Sequence, residues 1–251
     1  MSAIAVCSGK GSPGATFIAV NLAAAMQRQG DEIILLDLDP NGGDIAAYLG
    51  LDPRRGVYPL LKMDAKLPTT DGLLKEAEER DGMLVVGGFQ EMLPIVASDI
   101  LSYFIKLGTE SGRGVVADLG RVGADAATAI KGATQVLVVV RPDLVSVLGA
   151  ERAIRTLERG GVSRDSIGAV ISGIERRRPG DVKEIADALR VPVQGAIPLH
   201  RKHARRALVG QTSVNQGPIA KAFRSLAATL GGELSEKTAA TTEPRIAEVM
   251  A

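Results

Sequence analysis

Two periods alternate along this chain. Short apolar runs at Ala3–Cys7, Ile33–Asp37, Met83–Val86, Gly114–Asp118, Val136–Val140, Ile167–Ile171 and Val193–Ile197 read as buried strands. Between them lie segments with apolar residues at helical spacing. The clearest is Gly14–Arg28, where Ile18, Leu22, Ala25 and Met26 recur on one face. Helices are likewise predicted at Asp44–Leu49, Tyr58–Lys62, Gly72–Glu79, Leu93–Leu107, Ala124–Ile130, Leu144–Glu158, Asp181–Leu189, Arg201–Leu208 and Ile219–Leu230. Strands alternating with helices of this length predict an α/β fold, a mostly parallel twisted sheet with helices on both faces. No composition break divides residues 1–231, so one domain is expected there. From about Gly232 the pattern lapses, and Lys237–Pro244, rich in Thr and Ala, has no apolar face; residues 232–251 are expected to form a flexible tail.

Composition narrows this picture. Aromatic residues make up only 3% of the chain and Trp is absent, so the core must be built from Val, Ile, Leu and Ala, which suits buried parallel strands. With 30 basic and 29 acidic residues the formal charge is +1, and the whole-chain field gives no reason to expect tight nucleic-acid binding. The single cysteine, Cys7, sits in the first apolar run and reads as a small buried side chain. No run reads as a secretory leader or approaches the length of a membrane span, so a cytosolic location is expected.

The chemistry gathers after the first strand. The segment Gly9-Lys10-Gly11-Ser12-Pro13-Gly14-Ala15-Thr16 runs from a strand into a helix. A phosphate-binding loop has the pattern G-x-x-x-x-G-K-[ST]. Gly9, Gly14 and Thr16 match it, while Ala15 stands where the lysine belongs. Such a loop turns several backbone N–H groups inward, and the helix N-terminus adds positive potential. Thr16 then places a hydroxyl on a magnesium ion bound with ATP or ADP. Losing the lysine removes a charge-assisted hydrogen bond of about 1.5–3 kcal/mol, which weakens binding roughly 10- to 150-fold. Hydrolysis should suffer more, because such cations stabilise the transferring phosphoryl group. The alternative is a strand-to-helix turn whose glycines serve geometry alone.

Carboxylates follow in the order this chemistry needs. The second strand ends Asp37-Leu38-Asp39, and ligands in open α/β sheets bind outside the carboxyl ends of the strands. Asp37 and Asp39 are therefore placed near the phosphates, with a turn and helix cap as the alternative; for Asp44 the helix N-cap is the preferred role. The strand Gly114–Asp118 is apolar and ends in an aspartate that can hold magnesium.

With Lys10 ahead of Gly11, the loop resembles the deviant Walker-A loop of the ParA/MinD family, K-G-G-x-G-K-[ST]. The resemblance covers about residues 1–230 and implies a P-loop NTPase-like fold. It also implies that Lys10 reaches the phosphates of a partner subunit in a homodimer and that Asp39 positions the attacking water. Gly9, Lys10, Gly11, Ser12, Pro13, Gly14, Ala15, Thr16, Phe17, Asp37 and Pro198 would contact the nucleotide, and Thr16 and Asp118 the magnesium. Asp37 through Arg54 looks like the CpaE/TadZ branch, whose members localise pilus-assembly machinery. That implies partners in a pilus or secretion machine, and recruitment to a pole or to the inner face of the membrane. Ile171-Ser172-Gly173 stands where the family has an adenine-reading asparagine. A nucleotide-free scaffold, a DNA-partitioning ATPase and an ATP-dependent synthetase or amidase remain alternatives on this fold.

Two basic clusters, Arg176–Arg178 and Arg201–Arg206, bear on non-specific DNA binding, with a solvated face as the alternative. His200 and His203 lack an acidic or thiol partner at ligand spacing, so no metal site is expected there. The last nine residues are short, acidic in part and poor in large apolar side chains, and are not expected to bind a membrane.

Overall fold

The computed structural model describes residues 2–11, 14–62, 67–89, 97–123, 126–175, 179–199, 211–215 and 217–242, with the backbone alone for 179–180 and 232–242. Its strands are β1 (Ala3–Ser8), β2 (Ile33–Asp37), β3 (Glu78–Arg80), β4 (Met83–Val86), β5 (Gly114–Arg121), β6 (Gln135–Val140), β7 (Ile167–Ile174) and β8 (Val193–Pro198). They form one sheet of order β3-β4-β2-β5-β1-β6-β7-β8, parallel throughout except for β3. The helices are α1 (Ala15–Arg28), α2 (Ile45–Leu49), α3 (Val57–Lys62), α4 (Thr70–Glu76), α5 (Ser98–Glu110), α6 (Ala126–Ala129), α7 (Leu144–Arg159), α8 (Pro179–Leu189) and α9 (Gly217–Thr242).

The apolar runs explain the layering. β1, β2 and β6 are buried at every position, as strands covered on both faces must be. Two cores result. One packs α1, α2 and α9 on one face of the sheet, with Ile18, Leu22 and Phe223 fully buried. The other packs α3, α4, α5 and α7 on the opposite face around Phe104, Ile105 and Leu157. Aspartate and threonine side chains fix helix starts: Asp143 accepts the Ser146 N–H at 2.8 Å for α7, and Thr69 accepts the Gly72 N–H at 3.1 Å for α4.

One predicted element is corrected. Gly72–Glu79 was expected as a single helix, but α4 ends at Glu76 and Glu78–Arg80 pairs antiparallel with β4. The cause is local. Asp81 and Gly82 both have positive φ, 54° and 84°, and Arg80 faces Met83 across them, which makes a two-residue Asp-Gly hairpin turn. At the other end of the chain, α9 runs to Thr242, past the Gly232 where the tail was expected to begin. The expected helix Arg201–Leu208, both basic clusters, both histidines, Ser12, Pro13 and the last nine residues lie outside the described residues. No helix among the described residues is long and apolar enough to cross a membrane.

Candidate nucleotide-binding site

The phosphate-loop residues stand at the carboxyl end of β1, the fourth strand from the β8 edge, between β5 and β6. Gly9 is pressed against α7: a Cβ there would lie 2.0 Å from the Gly149 carbonyl oxygen, so only glycine fits. Gly14 opens α1 in the left-handed conformation, φ 98°, and a Cβ on it would come within 3.1 Å of the Ser172 hydroxyl. The first-turn N–H groups of a helix have no intrahelical acceptor, so residues 14–17 present the donors an anion needs. Lys10 and Gly11 are exposed, whereas Ala15 is buried.

Sequence reasoning missed the residue that pins this loop. The Ser8 hydroxyl lies 2.9 Å from the Lys10 carbonyl and 3.1 Å from the Gly120 carbonyl, tying the loop's start to the end of β5. Its signal was a serine directly before the first loop glycine. Ser172 and Gly149 were also missed as loop neighbours, because both come from distant strands and helices. Phe17 is placed at the loop, but its ring packs edge-on against Phe223 of α9 at 5.6 Å between centroids. Its side chain is thereby committed to the core, and only its backbone N–H is available to a phosphate. Pro198 closes β8 and lines a cavity of about 430 Å³ with Ile174, Val193, Lys221 and Leu226. A neighbouring cavity of about 550 Å³ is lined by Arg141, Asp143, Gly173, Glu175 and Leu199. Its Gly173 follows Ser172, the residue whose hydroxyl faces Gly14.

The carboxylates divide by use. Asp37 is fully buried, and its oxygens accept the Ile45 N–H at 2.9 Å and the Asp39 N–H at 3.5 Å. Gly43 and Gly88 close on it so tightly that a Cβ on either would come within 2.6 Å of the carboxyl group. Asp37 therefore fastens the 39–45 loop to the sheet. It also supplies the α2 cap expected of Asp44, which occupies the N-cap position with no side-chain hydrogen bond. Asp39 is half-buried at the mouth; one oxygen holds Asn41 through its N–H and its side-chain amide, at 2.9 and 3.1 Å. Asp118 is buried and accepts the Gly120 N–H at 3.0 Å, with the Thr16 hydroxyl near enough to favour its charged form.

Electrostatics follow from that burial. Desolvation, then the neighbouring Asp118 charge, pushes Asp37 well above the ordinary carboxylate range. Burial, with Asp39 and Asp44 adding to it, pushes Asp118 up to about 6. Asp39 is raised too, by burial and then by Asp44. Cys7 is pushed up to about 12 by burial and Asp118, which makes it an inert core thiol. The ion pairs of the described residues all lie elsewhere, so none of these carboxylates is ion-paired among the described residues. Buried like charges without a counter-ion fit a bound cation. Among the described residues no three His, Cys, Asp or Glu side chains form a self-sufficient metal cage. Magnesium at phosphate sites typically takes one or two carboxylates and completes its shell with phosphate oxygens and water. The Thr16–Asp118 pair meets that requirement.

A family model for the CobQ/CobB/MinD/ParA nucleotide binding domain matches residues 4–214. The chain belongs to that family. Among its relatives is an uncharacterized ATP-binding protein of Methanocaldococcus jannaschii, 30% identical over 92% of this chain and 88% of its own. The septum site-determining protein MinD of Synechocystis is 26% identical over 92% of this chain and 89% of its own. Among solved structures, MinD of Pyrococcus horikoshii complexed with Mg-ADP superposes with a TM-score of 0.72, at 19% identity, over 94% of this chain and 98% of that one. The fold is that of MinD and ParA P-loop proteins, as the resemblance implied, and its mostly parallel sheet is what the alternation of strands and helices predicted.

Proposed function

We propose that this chain is a ParA/MinD-type switch of the CpaE/TadZ branch. It binds ATP or ADP with Mg²⁺, dimerises, and positions a pilus or secretion machine, with slow or absent hydrolysis. The observation that carries this reading is the buried Asp118 carboxylate beside the Thr16 hydroxyl, next to a loop with Ala15 where the pattern has its second lysine. Thr16 and Asp118 would hold the metal, which supplies charge neutralisation on the phosphates. Backbone N–H groups of the loop would orient them, and Asp39 at the mouth is the group placed to hold a water. With Ala15 buried where a lysine would stand, the loop offers little stabilisation for a transferring phosphoryl group.

Dimerisation through this face has its own support. Leu144, Val145 and Leu148 are exposed on α7, the helix whose Gly149 touches Gly9, and Lys10 projects beside them. Apolar side chains grouped next to a ligand site are a mark of an interaction surface. A DNA-partitioning role, which the two basic clusters would serve, is the alternative and is equally consistent with the family.

Ala15→Lys tests the reading. Nucleotide binding is expected to tighten about tenfold or more and turnover to appear, because the rest of the site is in place. No gain in either would favour a scaffold whose loop stays empty. A fluorescent fusion in cells is expected to form a focus that coincides with the machine; an even cytosolic signal would contradict the positioning role.

A further inference from the structure

We infer that Arg121 supplies the phosphate-binding cation that position 15 lacks, an inference that rests on the nucleotide-binding reading above. Arg121 ends β5, three residues beyond Asp118. Its Cα partner across the ladder is Ser8, the residue before the loop. The β1–β5 register shifts between Val6 and Ser8, so β5 carries an extra residue just after Asp118. That bulge re-aims the strand end.

Bonds on both sides then hold the arginine's backbone against the loop. The Val122 N–H donates to the Ser8 carbonyl at 2.8 Å, and the Ser8 hydroxyl joins the Gly120 and Lys10 carbonyls. Neighbouring strands are about 4.8 Å apart, so the site above the loop is within an arginine's reach. Gly120 completes the arrangement. It is left-handed, φ 57°, and a Cβ on it would lie 1.9 Å from an Asp39 oxygen. Asp39 and Arg121 thus flank one bare glycine at the mouth of the cleft.

The charge is also available. Arg121 is exposed, and among the described residues no acidic side chain pairs with it. Arg54, Arg113, Arg155 and Arg164, by contrast, are all in ion pairs. A guanidinium stays charged at any working pH, and an exposed one can meet a phosphate as a point charge that a lysine can also supply. Lys10 lies on the loop's exposed outer side, and Arg141 sits against Gly173 and Leu199 at the adjoining cavity. Arg121 is the basic residue whose backbone is held beside both the loop and Asp39, and it borders a cavity of about 210 Å³ shared with Asn41 of the Asp39 loop.

The test uses the full chain and fluorescently labelled ATP with Mg²⁺, comparing wild type, Arg121→Ala and Arg121→Lys. Arg121→Ala is expected to weaken ATP about tenfold or more, with an unchanged melting curve, while Arg121→Lys keeps most of the affinity. If wild type binds and Arg121→Ala binds equally well, the inference is wrong and the nucleotide reading stands. If wild type binds no nucleotide at millimolar concentration, both fall. A loss of affinity in Arg121→Ala that Arg121→Lys does not restore would also overturn the inference, since it would not report a charge on phosphate.

Discussion

The two sides of the cleft are furnished differently. At the ends of β2 and β5, the carboxylates of Asp37, Asp39 and Asp118 all have hydrogen-bond donors, and two of them are buried. At the end of β1, the loop offers backbone N–H groups, two close-packed glycines and, at position 15, a buried methyl group. On the proposed reading the carboxylate side holds the cation. The loop side has an alanine where the phosphate-loop pattern has its lysine. On that reading metal holding and phosphate grip are separate parts of the site, and each can be challenged on its own.

The loop side should break most completely. Gly9→Ala forces a methyl group into the backbone of α7, 2.0 Å from the Gly149 oxygen, with no flexible side chain to yield. A stability loss on the order of 3 kcal/mol is expected in chemical denaturation, together with loss of nucleotide binding. On the carboxylate side, Gly88→Ala meets the Asp37 carboxyl at 2.6 Å and the Gly43 Cα at 2.8 Å. A loss of about 2 kcal/mol is expected there, read as a melting temperature lower by several degrees. If Gly88→Ala removed Mg²⁺-dependent binding without lowering stability, Asp37 would be a ligand-facing group and not the fastening that its burial indicates.

The smallest effect sharpens the electrostatic part. Asp118 has a folded pKa of about 6 against an ordinary 3.8, so the folded state holds the proton more tightly. Its contribution to stability is fully present below about 3.8 and is lost as the pH rises through about 6. Asp37 and Asp39 are shifted in the same direction. Metal-free wild type should therefore gain more thermal stability than Asp118→Asn when the pH falls from about 7 to about 5, by a few degrees. Equal shifts in the two proteins would mean that Asp118 is already ionised in the folded state at low pH.

The sheet was legible because its strands are apolar runs buried on both faces, and the loop because glycines and Thr16 stand at fixed spacing. What escaped notice was set by distant neighbours. The β3–β4 hairpin hides behind a helical-looking segment, although Asp81-Gly82 is a known hairpin turn pair. Asp37 and Asp39 look alike in sequence, two residues apart at one strand end. Only Gly43, Gly88 and the Ile45 N–H show that one is a fastening and the other stands at the mouth. The contacts of Gly9 with Gly149 and of Gly14 with Ser172 join segments far apart in the chain, and no local pattern announces them.

The measurement that bears most directly on the separation of metal holding from phosphate grip is calorimetric titration of ATP, with Mg²⁺ and with a chelator, into wild type and Asp118→Ala. Wild type is expected to bind weakly with Mg²⁺ and to lose that binding in chelator, and Asp118→Ala to lose it in both. Equal binding with and without Mg²⁺, or undiminished binding by Asp118→Ala, would contradict the account.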